Sequence, residues 1–352
     1  MPPRTKSAID IPTFRKSLSH WYAQNARTLP WRNIHDPYRT WVSEIMLQQT
    51  RVAAVIEHYH RFLALFPTVK ALAAATEAQV LAAWSGLGYY RRARMMHKAA
   101  QHIASELNGI LPTTSAELKA LPGIGDYTSA AIASICHGES VAVLDGNVER
   151  VLLRILGLPE DRSTAAQKLL KQQAQALVPP SRFSHEENAA GNHNQSMMEL
   201  GATICFPRAP LCLNCPVFNH CRTRGEHPTP ARAKAKSRPA AYLLETRTRK
   251  AITEILLEQR PQQASLMAGM YELPPLPPDA VATHEPILTL RHAITDTLYR
   301  VAIYEDPTLR TSIPASKPML HWAPTTDLAT LPLTGLTRKV LQRLKLLPAS
   351  KR

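Results

Sequence analysis

The segment TSAELKALPGIGDYTSAAIASI, residues 114–135, indicates two helices joined by a tight turn. A capping-box pattern from Thr114 to Glu117 opens the first helix. In the turn, Gly123 and Gly125 flank one apolar residue, and glycine lets the backbone turn sharply and approach a ligand closely. The second helix would present free backbone amides at its start, where a phosphate fits. An ordinary connection between two helices is the alternative explanation.

A single aspartate follows this predicted helix pair. The apolar run Val141–Leu144 leads into Asp145-Gly146-Asn147, which opens a further helix. Asp145 is placed as an N-cap, because a carboxylate at that position accepts hydrogen bonds from free backbone amides. Capping alone is sufficient to explain the residue, and it is compatible with a catalytic role.

Four of the five cysteines lie close together in the sequence. Six, two and five residues separate Cys205, Cys212, Cys215 and Cys221. Four thiolates can hold zinc or a [4Fe-4S] cluster, and the usual zinc pattern pairs two Cys-X2-Cys knuckles where this chain has one. Disulfides are a third interpretation, which a reducing cytosol disfavours.

Composition predicts a polyanionic partner. The 352 residues include 42 Lys and Arg against 27 Asp and Glu, a net charge of +15. Such a charge attracts nucleic acid and releases counterions from phosphates. The basic start, Met1–Lys6, is not followed by an apolar signal region, and no stretch is long enough to cross a bilayer. We therefore expect a protein with no membrane partner, located in the cytoplasm, and associated with the nucleoid if bacterial.

The chain divides into three predicted regions. Residues 1–222 have apolar residues at helical spacing, residues 223–240 have the Arg, Lys, Ala and Pro composition of a basic linker, and residues 241–352 are α+β in character. In the last region we predict strands and one closing helix: Tyr242–Leu244, Ile252–Leu257 and Leu333–Leu347.

The order of these motifs resembles the helix-hairpin-helix DNA glycosylase superfamily over roughly residues 10–222. The cysteine spacing is similar to that of the [4Fe-4S] loop in the endonuclease III group. The resemblance implies a mainly α glycosylase fold with a cluster loop at residues 205–221. It also implies a hairpin that grips the DNA backbone through Gly123 and Gly125, and an Asp145 that faces the sugar of an everted nucleotide.

Position 127 decides the branch within this superfamily. The endonuclease III branch carries a lysine there that forms a Schiff base with the sugar, whereas this chain has Tyr127, and a phenol cannot form one. Residues 29–32, 36–50 and 86–93 are similar to the MutY family of adenine DNA glycosylases, which is monofunctional.

A physical argument that is independent of the family resemblance indicates Glu44 as a general acid. On a helix its neighbours three and four residues away are Trp41, Leu47 and Gln48, so the carboxylate lies on a largely apolar face. Desolvation favours the protonated form that a general acid requires near neutral pH. A helix-surface ion pair is the structural alternative.

The MutY resemblance implies a role for each site residue. Glu44 would protonate adenine, and Asp145 would stabilise the positive charge on the sugar. Asn147 would orient the aspartate or the water, and Tyr127 would hold the site through a hydrogen bond with Glu44. Further residues match base-pocket or wedging positions, with a core or surface role as the alternative for each: Trp31, Arg32, Gln195, Gln48, Leu87 and Tyr89.

The carboxyl-terminal region is similar to the Nudix-like domain with which MutY proteins read 8-oxoguanine. The similarity rests on Ile255–Arg260 and Leu266–Pro274, and no acidic Nudix box is present, so we expect binding without hydrolysis. Where the family has Phe-Ser-His, this chain has Ile294-Thr295-Asp296. Thr295 keeps a hydroxyl, whereas Asp296 introduces an anion, so we predict a weakened preference for 8-oxoguanine.

The sequence thus predicts a monomeric adenine glycosylase acting on double-stranded DNA with A:8-oxoguanine or A:G mispairs. A bifunctional pyrimidine-damage glycosylase with lyase activity is the nearest alternative. A non-catalytic iron-sulfur DNA-binding protein and an iron-sulfur electron carrier are the others.

Overall fold

A computed structural model describes residues 9–161, 163–181, 188–227, 236–294, 297–313 and 319–348. Within these ranges the chain divides into two compact units. The first consists of Met1–Tyr59, Thr68–Lys70 and Lys98–Ala231, and the second of His60–Pro67, Ala71–His97 and Arg232–Arg352. The second unit therefore combines helical stretches from the first half of the chain with its carboxyl-terminal part.

The described part of residues 1–222 is helical, as the apolar spacing predicts. Its helices are α1 (Ile11–Asn25), α2 (Pro37–Leu47), α3 (Val52–Leu65), α4 (Val69–Ala74), α5 (Glu77–Trp84), α6 (Arg91–Glu106), α7 (Ser115–Lys119), α8 (Asp126–His137), α9 (Gly146–Leu156), α10 (Thr164–Leu177) and α11 (Ala189–Thr203). No helix in the described ranges combines the length and the apolar character needed to cross a membrane.

Helix α2 lies in the interior of the first unit. Asp36 caps its start, and side chains all round the helix are buried, including Trp41, Val42 and Met46. A helix that is buried on every face belongs to a core rather than to a surface. Its polar side chains, Glu44 among them, are therefore carried away from water.

A second core joins α1, α9, α10 and α11. Phe14 and Leu18 of α1 pack with Leu152 of α9, Leu170 of α10 and Leu200 of α11, and all five are at most 1% exposed. Burying five large apolar side chains stabilises the unit by roughly 1.5–3 kcal/mol each before chain entropy is counted. This core fixes the start of α9 and the face of α11, which both contribute to the site described below.

The carboxyl-terminal part of the second unit is α+β. Its strands are β1 (Lys236–Leu243), β2 (Thr246–Arg249), β3 (Ile252–Gln259), β4 (Tyr271–Glu272), β5 (Pro275–Leu276), β6 (Leu288–Ile294), β7 (Thr297–Tyr304) and β8 (Leu320–Pro324), followed by α12 (Gly335–Arg343). One sheet has the order β5-β1-β7-β6, with β1 and β7 parallel, and in the other β3 pairs with β2, β4 and β8. Ile255, Val301, Ile303 and Val340 form part of the core that joins both sheets to α12.

The first strand and the closing helix differ most from the sequence prediction. β1 begins at Lys236, inside the stretch predicted as linker, because its backbone pairs in parallel with β7 while residues 236–239 stay exposed. Their side chains therefore carry no apolar alternation to indicate a strand. The closing helix is shorter than Leu333–Leu347, because Thr334 caps its start and Lys345 takes a left-handed φ of 59° just beyond its end.

Candidate active site

A cavity of about 710 Å³ opens in the first unit. Its wall brings together side chains that are far apart in the sequence. Eight of the predicted catalytic and base-binding residues line it: Trp31, Arg32, Glu44, Gln48, Tyr127, Asp145, Asn147 and Gln195.

Glu44 is a buried carboxylate in the cavity wall, with 5% of its surface exposed. Burial raises its pKa from 4.5 to about 7, and the negative charge of Asp145 acts in the same direction. The hydrogen bond from Tyr127 and the charge of Arg32 oppose this rise. Since desolvation is the largest of these effects, a substantial fraction of Glu44 carries a proton at neutral pH.

Tyr127 holds Glu44 from helix α8. Its hydroxyl donates a short hydrogen bond to Oε2 of Glu44 and lies 3.6 Å from Sδ of Met198. Burial raises the pKa of Tyr127 well above its ordinary value, so the phenol stays a neutral donor. The hydrogen bond expected from the resemblance is therefore present.

Asp145 caps helix α9, as its position in the sequence predicts. Its Oδ1 accepts from the amide of Val148 at 2.7 Å, and its Oδ2 accepts from Nδ2 of Asn147 at 2.9 Å. Both carboxylate oxygens thus accept a hydrogen bond, which fixes the orientation of the carboxylate. An oriented anion in this wall can stabilise positive charge that develops in the cavity.

Arg150 orients the amide of Asn147. Its Nη2 donates to Oδ1 of Asn147 at 3.1 Å and to the carbonyl of Gly201 at 2.6 Å, while its Nε donates to the carbonyl of Cys205 at 2.9 Å. With its oxygen engaged, Asn147 directs its nitrogen toward Asp145. Gly201 leaves room for this arrangement, because a Cβ there would lie 2.6 Å from Cβ of Asn147.

Sequence reasoning missed a second buried glutamate in the same wall. Glu199 of α11 accepts from Nε of Arg27 at 2.7 Å and from Nη2 of Arg32 at 2.5 Å, and its side chain is fully buried. Although burial acts to raise the pKa of Glu199, bonds from Arg27 and Arg32 outweigh it and hold the pKa below the ordinary value. Arg27 lies 172 residues away, so no local pattern could have indicated the pair.

The remaining predicted cavity residues have defined neighbours. Trp31 is buried and packs edge-on against Tyr59, with ring centroids 5.4 Å apart. Gln195 accepts a hydrogen bond from the hydroxyl of Tyr22 at 3.3 Å. Gln48 follows the end of α2 and donates to Oγ1 of Thr128 at 3.3 Å.

The predicted hairpin joins α7 to α8. Gly123 has a left-handed φ of 75°, and the apolar Ile124 between the two glycines is buried. Gly125 occupies the N-cap of α8 without a side-chain cap, and a Cβ built on it meets no atom within 4 Å. Helix α8 therefore begins with an open face of backbone amides that an anion can approach.

The predicted wedging residues other than Gln48 lie in the second unit. Tyr89 is 50% exposed with a left-handed φ of 47°, whereas Leu87 is buried. Thr295, with Asp296, lies outside the residues that the structure describes.

The four clustered cysteines line one small pocket with apolar neighbours such as Ile204, Pro210 and Phe218. All are free thiols, so none pairs in a disulfide, and Nη1 of Arg154 donates to Sγ of Cys205 at 3.3 Å. Across the described ranges, no group of three or more His, Cys, Asp or Glu side chains has the geometry of a metal site. Four thiol groups around one pocket are a set of ligands that either a zinc ion or a [4Fe-4S] cluster accepts.

Comparison with known proteins finds a matching family model. Residues 42–180 match the family described as "HhH-GPD superfamily base excision DNA repair protein". The fold agrees with the solved structure of a thermostable thymine-DNA glycosylase, at a TM-score of 0.55 and 25% identity over 61% of this chain and 96% of that one.

The particular relatives are adenine DNA glycosylases. The Homo sapiens enzyme is 43% identical over 229 residues, which are 62% of this chain and 41% of that protein. The Arabidopsis thaliana enzyme is 38% identical over 306 residues, 74% of this chain and 47% of that protein. The chain thus spans about half the length of the curated relatives it matches.

Proposed function

We propose that the protein is a monofunctional adenine DNA glycosylase of base excision repair, which hydrolyses the N-glycosidic bond of adenine mispaired with 8-oxoguanine or guanine. The observation that carries the proposal is the convergence of Glu44, Tyr127 and Asp145 in one cavity. Similarity to adenine DNA glycosylases from animals and plants supports it.

Glu44 is the proposed general acid. Adenine is a poor leaving group unless its ring is protonated. A carboxylic acid with a pKa of about 7 can donate that proton at neutral pH. The proton would pass from Glu44 to N7 of adenine while Tyr127 keeps the carboxyl group in place. Glu44 is then left as a carboxylate, and the bonding electron pair of the glycosidic bond goes to the protonated base, which leaves as neutral adenine.

Asp145 is the proposed stabiliser of the sugar. Cleavage leaves positive charge on the deoxyribose, and separate acid and anion roles are familiar from paired-carboxylate glycosidases. Asp145 would offset this charge, with Asn147 orienting it or the attacking water. The water oxygen bonds to C1′ of the sugar, and its proton is released to the aspartate or to solvent.

The base would be recognised by the part of the cavity wall that contains Arg32 and Glu199. Adenine presents an amino donor and ring-nitrogen acceptors, and the Arg32–Glu199 pair offers both an acceptor and donors. Trp31 and Gln195 would complete the pocket, with Trp31 giving a flat apolar surface. Everting adenine into it requires a few kcal/mol.

DNA itself is bound outside the cavity in this proposal. The amides of α8 beyond Gly123 and Gly125 would hold a phosphate, and the net charge of +15 supplies the general attraction. For Gln48, Leu87 and Tyr89 we keep the role of wedging residues on DNA that the family resemblance implies. Leu87 would have to leave its buried position for this role, whereas Tyr89 is already accessible.

We further propose that Cys205, Cys212, Cys215 and Cys221 hold a [4Fe-4S] cluster. The grounds are four free thiols around one apolar pocket and the relatives' superfamily. When bound, the cluster would cross-link the loop of residues 205–221 and carry no step of hydrolysis. Iron and sulfide analysis of the purified protein, together with its visible absorption spectrum, tests this, and stoichiometric zinc would contradict it.

For the carboxyl-terminal region we propose a Nudix-like domain that binds 8-oxoguanine. The proposed boundaries are 1–222 for the catalytic domain, 223–240 for the linker and 241–352 for this domain, with β1 beginning inside the linker. Its two sheets and α12 support an α+β binding domain. The protein would act as a monomer in the cytoplasm, associated with the nucleoid if it is bacterial.

The test uses purified protein and duplexes that carry adenine opposite 8-oxoguanine, guanine or thymine. Alkali cleaves the abasic sites that form, and we expect cleavage opposite 8-oxoguanine and guanine only. Borohydride on thymine-glycol duplexes tests the alternative of a bifunctional lyase, since a trapped covalent adduct would support it. A protein that binds DNA and releases no base from any duplex would be a non-catalytic module.

A further inference from the structure

The segment Ser85–Tyr90 of the second unit is a loop in an unfavourable backbone conformation. Gly86, Gly88 and Tyr89 all have positive φ angles, of 107°, 68° and 47°. A tyrosine is rarely found there, and such strain persists only where the surroundings determine the conformation. A Cβ built on Gly88 would meet no atom within 4 Å, so the positive φ, rather than a lack of space, favours glycine at this position. The loop presents the half-exposed ring of Tyr89.

Residues next to the loop hold part of its backbone in this conformation. Nε1 of Trp84 donates to the carbonyl of Gly88 at 3.2 Å, and Nη2 of Arg92 donates to the same carbonyl at 3.2 Å. The guanidinium of Arg92 also lies 5.5 Å from the ring centroids of Trp84 and Tyr89. These contacts shape the middle of the loop and leave its two ends to be held by other groups.

Both ends of the loop are bound to one carbonyl of the carboxyl-terminal part. The hydroxyl of Ser85 donates to the carbonyl of Leu333 at 2.9 Å, and the hydroxyl of Tyr90 approaches the same oxygen at 3.4 Å. Leu333 is fully buried and directly precedes Thr334, the N-cap of α12. One rigid acceptor thus sets the positions of the residues on either side of Gly86–Tyr89.

Arg338 completes the anchor of the loop, which also includes Ser85, Tyr90 and the carbonyl of Leu333. Its Nε donates to Oγ of Ser85 at 2.7 Å, so the hydroxyl accepts from α12 while it donates to Leu333. Burial of the guanidinium lowers the pKa of Arg338. Arg94, one turn into α6, donates a further hydrogen bond from Nη2 to the carbonyl of Ala268.

We propose that Arg338 is a positioning residue for DNA: through Ser85 and the carbonyl of Leu333, the carboxyl-terminal part holds Tyr89 where it can replace the stacking that an everted base loses. The inference rests on the proposed function, and it gives the carboxyl-terminal part a role in base eversion that is separate from reading the opposite base. Without the anchor the loop can relax from its left-handed conformation, and Tyr89 then stabilises the everted state less well.

The experiment compares two duplexes with the full-length protein. Both carry adenine opposite 8-oxoguanine, but in one the flanking pairs are mismatched, so that less stacking is lost on eversion. We expect Arg338→Ala to lower the single-turnover excision rate about tenfold on the fully paired duplex and less than threefold on the mismatched one. Tyr89→Ala should show the same split, and the double variant should lose little more than either single variant. Arg343→Ala, an exposed arginine on the same helix, is the matched control and should behave as the wild type.

The outcomes separate this inference from the proposed function. A wild-type protein that releases no adenine from either duplex would refute the function. An active wild type with an Arg338→Ala variant that loses rate equally on both duplexes, or on neither, overturns the anchor. Should Arg338→Ala unfold, Ser85→Ala removes the hydroxyl alone and must show the same split, with Arg338→Lys giving partial rescue.

Discussion

Two buried glutamates line the same cavity and differ in what surrounds them. Glu44 on α2 accepts from a neutral phenol, and its pKa rises to about 7. Glu199 on α11 accepts from two guanidinium groups, and its pKa is lowered. Burial acts on both in the same direction, so the partner decides the protonation state. One glutamate is thereby able to supply a proton, while the other remains an anion that organises arginines.

The largest expected effect comes from removing the proton donor. Glu44→Gln keeps the shape of the side chain and cannot protonate a base, so excision should fall by between about 10² and 10⁴-fold. Single-turnover rates on A:8-oxoguanine duplexes measure this, with affinity for the duplex retained. Full activity of the variant would remove Glu44 from its proposed role.

A smaller loss is expected from the other glutamate. Glu199→Gln leaves Arg27 and Arg32 without their anion and shifts the pocket wall, and misplacement of this kind reduces rates by about 10²-fold. Lower thermal stability should accompany it, because a buried ion pair is broken. The pH at which activity declines should stay near that of the wild type. Glu106→Gln on the exposed end of α6 is the control.

The next largest effect is expected from removing Arg150, which orients Asp145 through Asn147. Arg150→Ala frees Oδ1 of Asn147 and loosens Asp145, so the rate should fall about tenfold for the loss of one charged hydrogen bond. Arg150→Lys should recover part of this rate if orientation is the cause. Equal rates for all three proteins in single turnovers would show that Asn147 needs no such support.

The smallest change is a shift in pH dependence. A general acid acts while protonated, so wild-type activity should decline as the pH rises through about 7, the pKa of Glu44. Tyr127→Phe removes a bond that lowers this pKa, and the decline should therefore move to higher pH. The plateau rate should drop by roughly fivefold, for about 1 kcal/mol of lost hydrogen bonding. A decline that moves to lower pH would contradict the assignment of the bond.

Local chemistry explains which features could be predicted from the sequence. The apolar neighbours of Glu44 and the cap at Asp145 involve residues within one helical turn, and the structure contains both. The turn at Gly123 is likewise local, since its left-handed φ favours glycine. Such features depend on spacing and conformation that are written in adjacent residues.

Features built across the chain could not be predicted in this way. Glu199 meets Arg27 over 172 residues, and Arg338 meets Ser85 over 253. Strand β1 has exposed side chains where its backbone pairs with β7, so its composition resembled a linker. In each case the partner, rather than the residue itself, determines the role.

The close approach of Gly201 to Asn147 has a consequence for inherited variation. A single methyl group at position 201 would carry no charge, contact no nucleic acid and leave every proposed reactive group intact. It would nevertheless displace Asn147, which orients Asp145, so a substitution that looks harmless by chemical type should abolish the proposed activity without changing any reactive group.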